Sequence, residues 1–174
     1  MRTRYVIAAA LLLFPATLSV TAQAGNYSKA QVGNLIRNVE DGVDRFRDYL
    51  KQRGEQGQSR AQSAQASGIT GRRAARNAQN TDARKAQATQ TKDELDDALG
   101  DLNRSTNRLR RKFDATPNYL ETRAQVDQVL DDGRRVNQIM ARGKYDSQAT
   151  RYWTALRTAI NELGRAYGLS PMGT

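Results

Sequence analysis

The sequence predicts an all-α protein, an antiparallel up-down four-helix bundle with a long polar, basic connector between helices 1 and 2. Three observations predict it. Four stretches step their apolar or small residues by 4, 3, 4, 3 and 4 positions, the spacing that lines one face of an α-helix. The links from helix 2 to 3 and from 3 to 4 span only a few residues, and short links force antiparallel neighbours. Between the first two stretches, residues 51–94 hold Ile69 as their only large apolar side chain. One such side chain buries too little surface to offset the entropy of ordering a packed segment.

Residues 1–24 read as a signal peptide. Arg2 and Arg4 make a positive start, an apolar run extends from Val6 to about Val20, and Ala22-Gln23-Ala24 fits the small-x-small cleavage rule. The alternative is an uncleaved membrane anchor. The run is short of the ~20 apolar residues a span needs, and Pro15 interrupts it. Cleavage near Ala24 would leave a single exported domain over 25–174, periplasmic or extracellular, with no transmembrane span. That compartment permits disulfides, yet the chain has no Cys, so stability must come from packing alone. The 150 residues from Gly25 onward are enough for one domain with a real core.

Helix 1 carries the stripe Val32, Ile36, Val39, Val43, Phe46, Leu50. Ser28 with Gln31 forms a capping box at its start, and Tyr27 with Val32 occupies the positions of a hydrophobic staple. Its outer face holds Asp41 with Arg45 and Asp44 with Arg47 at pairable spacings, and the helix is expected to stop near Gly54. Residues 51–80 follow as a flexible basic connector. From about Thr81 the composition turns to Ala, Gln and Lys, which favour helix. Helix 2 can therefore begin well before its own stripe, Leu95, Leu99, Leu102, Thr106, Leu109, Phe113. It ends in Arg108, Arg110, Arg111 and Lys112, which complement the carbonyl end of the helix dipole.

Thr116-Pro117-Asn118 separates helix 2 from helix 3. Asn118 with Glu121 resembles a capping box, and Thr116 with Pro117 at the first helical position is an equal candidate. Helix 3 runs from about Tyr119 to Arg142 on the stripe Thr122, Val126, Val129, Gly133, Val136, Met140. Gly133 suggests close approach of a neighbouring helix, and Gly143 a left-handed stop. Asp146 or Ser147 caps helix 4, whose stripe is Ala149, Trp153, Leu156, Ile160, Leu163, Tyr167. Gly168 and Leu169 read as a Schellman stop, and Ser170 to Thr174 as a frayed tail.

Chemistry is scarce. With neither His nor Cys in the chain, His general bases, Ser-His-Asp and Cys-His arrangements and the usual zinc sites are excluded. No phosphate-cradling glycine loop occurs. The run Asp93, Glu94, Asp96, Asp97, Asp101 reads as a solvated face near a helix start. Trp153 and Tyr167 lie on the stripe and read as packing, while Tyr152 lies one step off it. The expectation is a non-enzymatic protein with no catalytic, cofactor or metal site.

Charge supplies the one functional lead. The net is +10 over the chain and +8 without Arg2 and Arg4. Residues 52–92 hold eight Lys or Arg against Glu55 and Asp82, which is +6 of that +8. Arg60, Arg72, Arg73, Arg76, Arg84 and Lys85 are the candidate anion-binding residues. Outside the cytoplasm such a segment would meet lipid head groups, surface polysaccharide or acidic proteins. No aromatic residue is interleaved, so specific nucleic-acid binding is not expected. The competing reading is a solvated connector whose charge serves solubility.

Tyr152-Trp153-Thr154-Ala155-Leu156-Arg157, Ile160-Asn161-Glu162-Leu163 and Ala166-Tyr167 close the last helix. In this the chain resembles small, uncharacterised exported bacterial helical proteins that end in a Trp-x-x-Leu-Arg and Leu-x-x-x-Tyr pattern. The resemblance covers about the last 80 residues. It implies export and a helical bundle, and carries over no activity and no site residue. The expected role is thus an exported structural or interaction protein, or alternatively an electrostatic binder of anionic envelope components through residues 53–92. The heptad-like faces leave self-association open.

Overall fold

The computed structural model describes residues 27–66 and 78–173, with side chains described over 27–56 and 89–173. The signal-peptide reading of residues 1–24 falls outside the described residues. The described residues form four α-helices: α1 (Lys29–Ala66), α2 (Ala78–Ala115), α3 (Arg123–Arg142) and α4 (Ser147–Ala166), with a 3-10 turn at Tyr119–Thr122 leading into α3. The chain is an all-α four-helix bundle. Each helix runs antiparallel to the next, and α4 returns beside α1. Glu40 meets Arg110, Asp101 meets Arg135, Asn137 meets Trp153, and Tyr49 meets Asp146.

The stripes close the core. Every stripe residue of α1, α2 and α4 is buried, and in the third stripe only Met140 is half-buried. Buried Ala98, Leu130, Ile139 and Ala166 widen the apolar faces beyond the strict stepping. Thr106 enters the core because its hydroxyl donates back to the Leu102 carbonyl at 2.7 Å. Thr122 does so by sharing a 2.8 Å hydrogen bond with the Tyr167 hydroxyl. Close crossings use glycine: a Cβ on Gly42 would lie 3.0 Å from Leu156, and one on Gly164 3.1 Å from Leu130.

Caps fix the helix ends. Ser28 and Gln31 form the reciprocal box, with Gln31 N donating to Ser28 Oγ and Ser28 N to Gln31 Oε1. Asn118 caps the 3-10 turn through Leu120 N. Asp146 caps α4, accepting from Gln148 N and Ala149 N at 2.8 Å each. Lys29 donates to the Thr116 carbonyl just past α2 and stands over the Phe113 ring. Arg123 likewise reaches the Tyr167 carbonyl at the end of α4.

Three expectations need correction. Helix 1 does not stop near Gly54: α1 continues to Ala66 and α2 begins at Ala78, so both helices enter the stretch read as connector. A glycine costs a helix only about 1 kcal/mol, and Gly54 sits where the Lys92 ammonium packs against α1. The rest of the expected connector, residues 67–77, lies outside the described residues. Gly143 is not left-handed; its φ of −81° and ψ of 158° are extended. It is small because the Tyr145 ring covers it. Gly133 does meet the neighbouring helix α4, through Ile160, but the atoms nearest to it belong to the Met172 side chain of the tail. The tail after Leu169 is accordingly not frayed: Met172 is buried and hydrogen-bonded to Asn161. The Schellman stop at Gly168 stands, with φ 64°, Leu169 N bonded to Gly164 O and Gly168 N to Arg165 O.

Candidate functional site

The four-helix part ends where α4 begins. There Asp146 does more than cap: its Oδ1 accepts from the Tyr49 hydroxyl at 2.7 Å and its Oδ2 pairs with Arg53. Across the same end, the Tyr145 hydroxyl donates to the Thr91 carbonyl at 3.3 Å. Burial raises the pKa of that phenol, and the negative charges of Asp96 and Glu94 add to the rise. Beyond these contacts α1 runs thirteen residues past Arg53, and α2 begins thirteen residues before Thr91. At 1.5 Å per residue each helix therefore outruns its α3 or α4 neighbour by about 20 Å.

Three of the six candidate anion-binding residues belong to this outrunning section. Arg60 lies on α1, and Arg84 and Lys85 on α2. The Glu40–Arg110 pair fixes the antiparallel register of α1 and α2, and Lys92 approaches Gly54 where the two helices leave the bundle. Arg72, Arg73 and Arg76 fall outside the described residues. The stretch 57–88 has six basic residues against Asp82, a net of +5 in a chain of +10.

Two further cations of the basic segment are engaged at the base. Arg53 is held by Asp146 and donates to the Tyr49 hydroxyl at 3.1 Å. Lys92 lies in an open groove of about 720 Å³ between α1 and α2. That groove is close to neutral, with Arg47, Lys51 and Lys92 facing Asp44, Asp48, Glu55 and Asp96. Asp96 is exposed but partly desolvated by the groove walls, which raises its pKa; the nearby Lys92 works against the rise, and Asp93 adds to it. A charge-balanced neck thus separates the bundle from its strongly basic section.

A second groove of about 430 Å³ lies between α1 and α4. Gly42, Ala155, Leu156 and Ala159 line it, and Asp41, Arg45 and Arg151 share the lining. Neither groove brings a nucleophile against a base. The acidic run on α2 does not converge: Asp101 turns to Arg104 and to Arg135 of α3, while Asp93, Asp96 and Asp97 are exposed. Among the described residues no group of three or more acidic side chains is placed to hold a metal ion.

The aromatics pack as their stepping implies. Trp153 is buried and donates through Nε1 to Asn137 at 3.0 Å. Tyr152, one step off the stripe, stacks on Phe46 and leans on Tyr49, with centroids 6.4 and 5.1 Å away. Sequence reasoning missed the pairing of Arg110 with Glu40. It also missed Asn161 and Met172, whose roles depend on contacts between α4 and the segment that follows it. No helix among the described residues is long and apolar enough to cross a membrane. The chain matches no known protein-family model, no curated protein and no solved structure.

Proposed function

We propose that this chain is an exported, non-enzymatic interaction protein in which the bundle is the scaffold and the basic section carried by α1 and α2 meets the partner. The observation that carries this reading is the division of charge and apolar surface. Residues 57–88 hold a net +5, and the other 142 residues share the remaining +5. Among the described residues Leu120 is the only large apolar side chain left exposed. The non-enzymatic part of the reading rests on a sequence without His or Cys and on two open grooves without a paired nucleophile and base. Export rests on the apolar run from Val6 to Val20 with its small-x-small site.

The direct test replaces residues 67–77 with a Gly-Ser segment of equal length and compares what the two chains retain from an envelope extract. Loss of one defined partner supports the reading. Identical retention refutes it.

The clustering of charge favours a second, sharper reading: binding of anionic envelope components, lipid head groups or polysaccharide, through residues 53–92. Near an anionic membrane each Lys or Arg contributes about 1 kcal/mol, screened by salt. Changing Arg72, Arg73 and Arg76 to Gln should weaken retention on heparin and on anionic vesicles and flatten its dependence on salt. Unchanged retention would exclude this version while leaving a protein partner in place.

A further inference from the structure

We propose that the groove between α3 and α4 beside Gly133 is a recognition slot for an extended peptide with one long unbranched apolar side chain, and that residues 170–173 occupy it in cis. After the left-handed turn at Gly168 the chain doubles back along the bundle. Of Ser170, Pro171, Met172 and Gly173, only Met172 is buried, at 4% exposure. Its Sδ fills the gap at Gly133, where a Cβ would lie 2.7 Å from the sulfur, with Ile160 closing the other side at 3.3 Å. Asn161 reads the backbone of the same residue at both polar groups. Its Oδ1 accepts from Met172 N at 2.7 Å, and its Nδ2 donates to Met172 O at 3.5 Å. Arg134 Nη2 adds a 3.5 Å contact to the Ser170 carbonyl.

This is how folded domains bind extended segments: main-chain hydrogen bonds hold the strand and one pocket selects a side chain. Two scaffold residues owe their identities to the occupant. Gly133 is disfavoured in a helix interior relative to Ala, and the room it leaves is filled by Met172 and Ile160. Asn161 uses both its donor and its acceptor on the Met172 backbone. The flanking side chains face solvent, so the slot demands an extended backbone and one slim side chain and tolerates its neighbours. Pro171 arrives with φ already restricted, which reduces the ordering cost. The ligand class is therefore a Pro-Met-type segment of another polypeptide. The short tether gives the resident segment an effective concentration of about a millimolar, so the intact chain masks its own slot.

The probe is a synthetic peptide copying residues 168–174 with norleucine in place of Met. It is titrated into the full chain and into the full-length Met172→Gly variant, with binding read by NMR shifts at the Gly133 amide and the Asn161 carboxamide. Saturable binding to Met172→Gly, at least tenfold tighter than to the parent, is expected. Adding Asn161→Ala should weaken it at least tenfold, because it removes the short bond from Met172 N together with the longer one to Met172 O. A control peptide with Gly at the norleucine position should not bind. Absence of saturable binding to a cooperatively folded Met172→Gly chain would overturn the proposal, as would equal binding of the control peptide. An independent measurement uses the unaltered chain: millimolar norleucine peptide should speed hydrogen peroxide oxidation of Met172, followed by mass spectrometry with Met140 as internal reference. An unchanged ratio also overturns it.

Discussion

Arg110 of α2 straddles the carboxylate of Glu40 on α1, with Nη2 2.6 Å from Oε2 and Nε 3.1 Å from Oε1. Both side chains are about one-fifth exposed, at 21% and 23%. The fork geometry holds the guanidinium, and the hydrogen bond to Glu40 leads the causes that raise its pKa, with burial opposing. Nη2 also reaches the Gly33 carbonyl at 3.5 Å. Sited between α1 and α2, this pair fixes the register of the two helices that carry the basic section.

Breaking that fork should cost more than an ordinary surface pair and less than a fully buried one. Glu40→Gln is expected to lower stability by about 1–2 kcal/mol at low salt. A double-mutant cycle with Arg110→Met should return a favourable coupling that shrinks in 1 M salt. Zero coupling in urea melts would show that the fork adds nothing.

Gly54 and Gly42 should respond oppositely to alanine. At Gly54 the added Cβ meets only the mobile end of Lys92, which can swing away. The gain of about 0.8–1 kcal/mol in helix propensity should therefore appear as a higher Tm. At Gly42 the Cβ comes within 3.0 Å of Leu156 in the core, which cannot retreat freely, so Gly42→Ala is expected to be neutral or destabilising. Equal shifts in thermal melts would contradict the packing of α1 on α4.

Asp146 combines three roles, so its substitutions can be ranked. Asp146→Asn keeps an oxygen for the α4 amides and for Tyr49 but loses the charge opposite Arg53, an expected loss under about 1 kcal/mol. Asp146→Ala also removes the cap, adding about 1–2 kcal/mol. Matched losses in denaturant titrations would mean the cap is idle.

Tyr167 predicts an alkaline limit. Burial raises its pKa, partly countered by the hydrogen bond to Thr122. The unfolded phenol titrates near 10, while the folded one keeps its proton to higher pH. Over that window the unfolded state binds fewer protons, so stability should fall as pH rises above about 10. Tyr145, also raised by burial, acts in the same sense. Tyr167→Phe should flatten the slope of Tm against pH above 10 while lowering the plateau through loss of the Thr122 contact. An unchanged slope would refute the assignment.

The heptad-like stepping let Val32, Leu99, Val126 and Leu156 be read as core, because a helix repeats its faces by geometry alone. Ser28 was legible as a cap, and Asp146 as one of two candidates with Ser147, for the same local reason. Arg110 was legible only as a cation near a helix end, since its partner lies 70 positions away and nothing local points to it. Gly133 signalled a missing side chain without naming the occupant. Gly54 misled because a glycine is a weak helix breaker when helix formers such as Gln52, Arg53, Glu55 and Gln56 surround it, even with Gly57 three residues on. The candidate cations were legible as charge, while the neutral neck of Asp44, Arg47, Asp48, Lys92 and Asp96 that separates them from the bundle required the register of α1 against α2.

Antiparallel packing of α1 on α4 also gives the molecule a pole. Tyr27 and Met172 lie toward one end, and the last turn of α1 lies at the other, about 57 Å away along a helix of 38 residues. A dye, bead or surface attached before Tyr27 or after Met172 would therefore hold the cationic tip at arm's length rather than against itself. A fluorophore at either attachment point paired with one on Arg60→Cys would read that span directly, and it would shorten if the two long helices folded back onto the bundle.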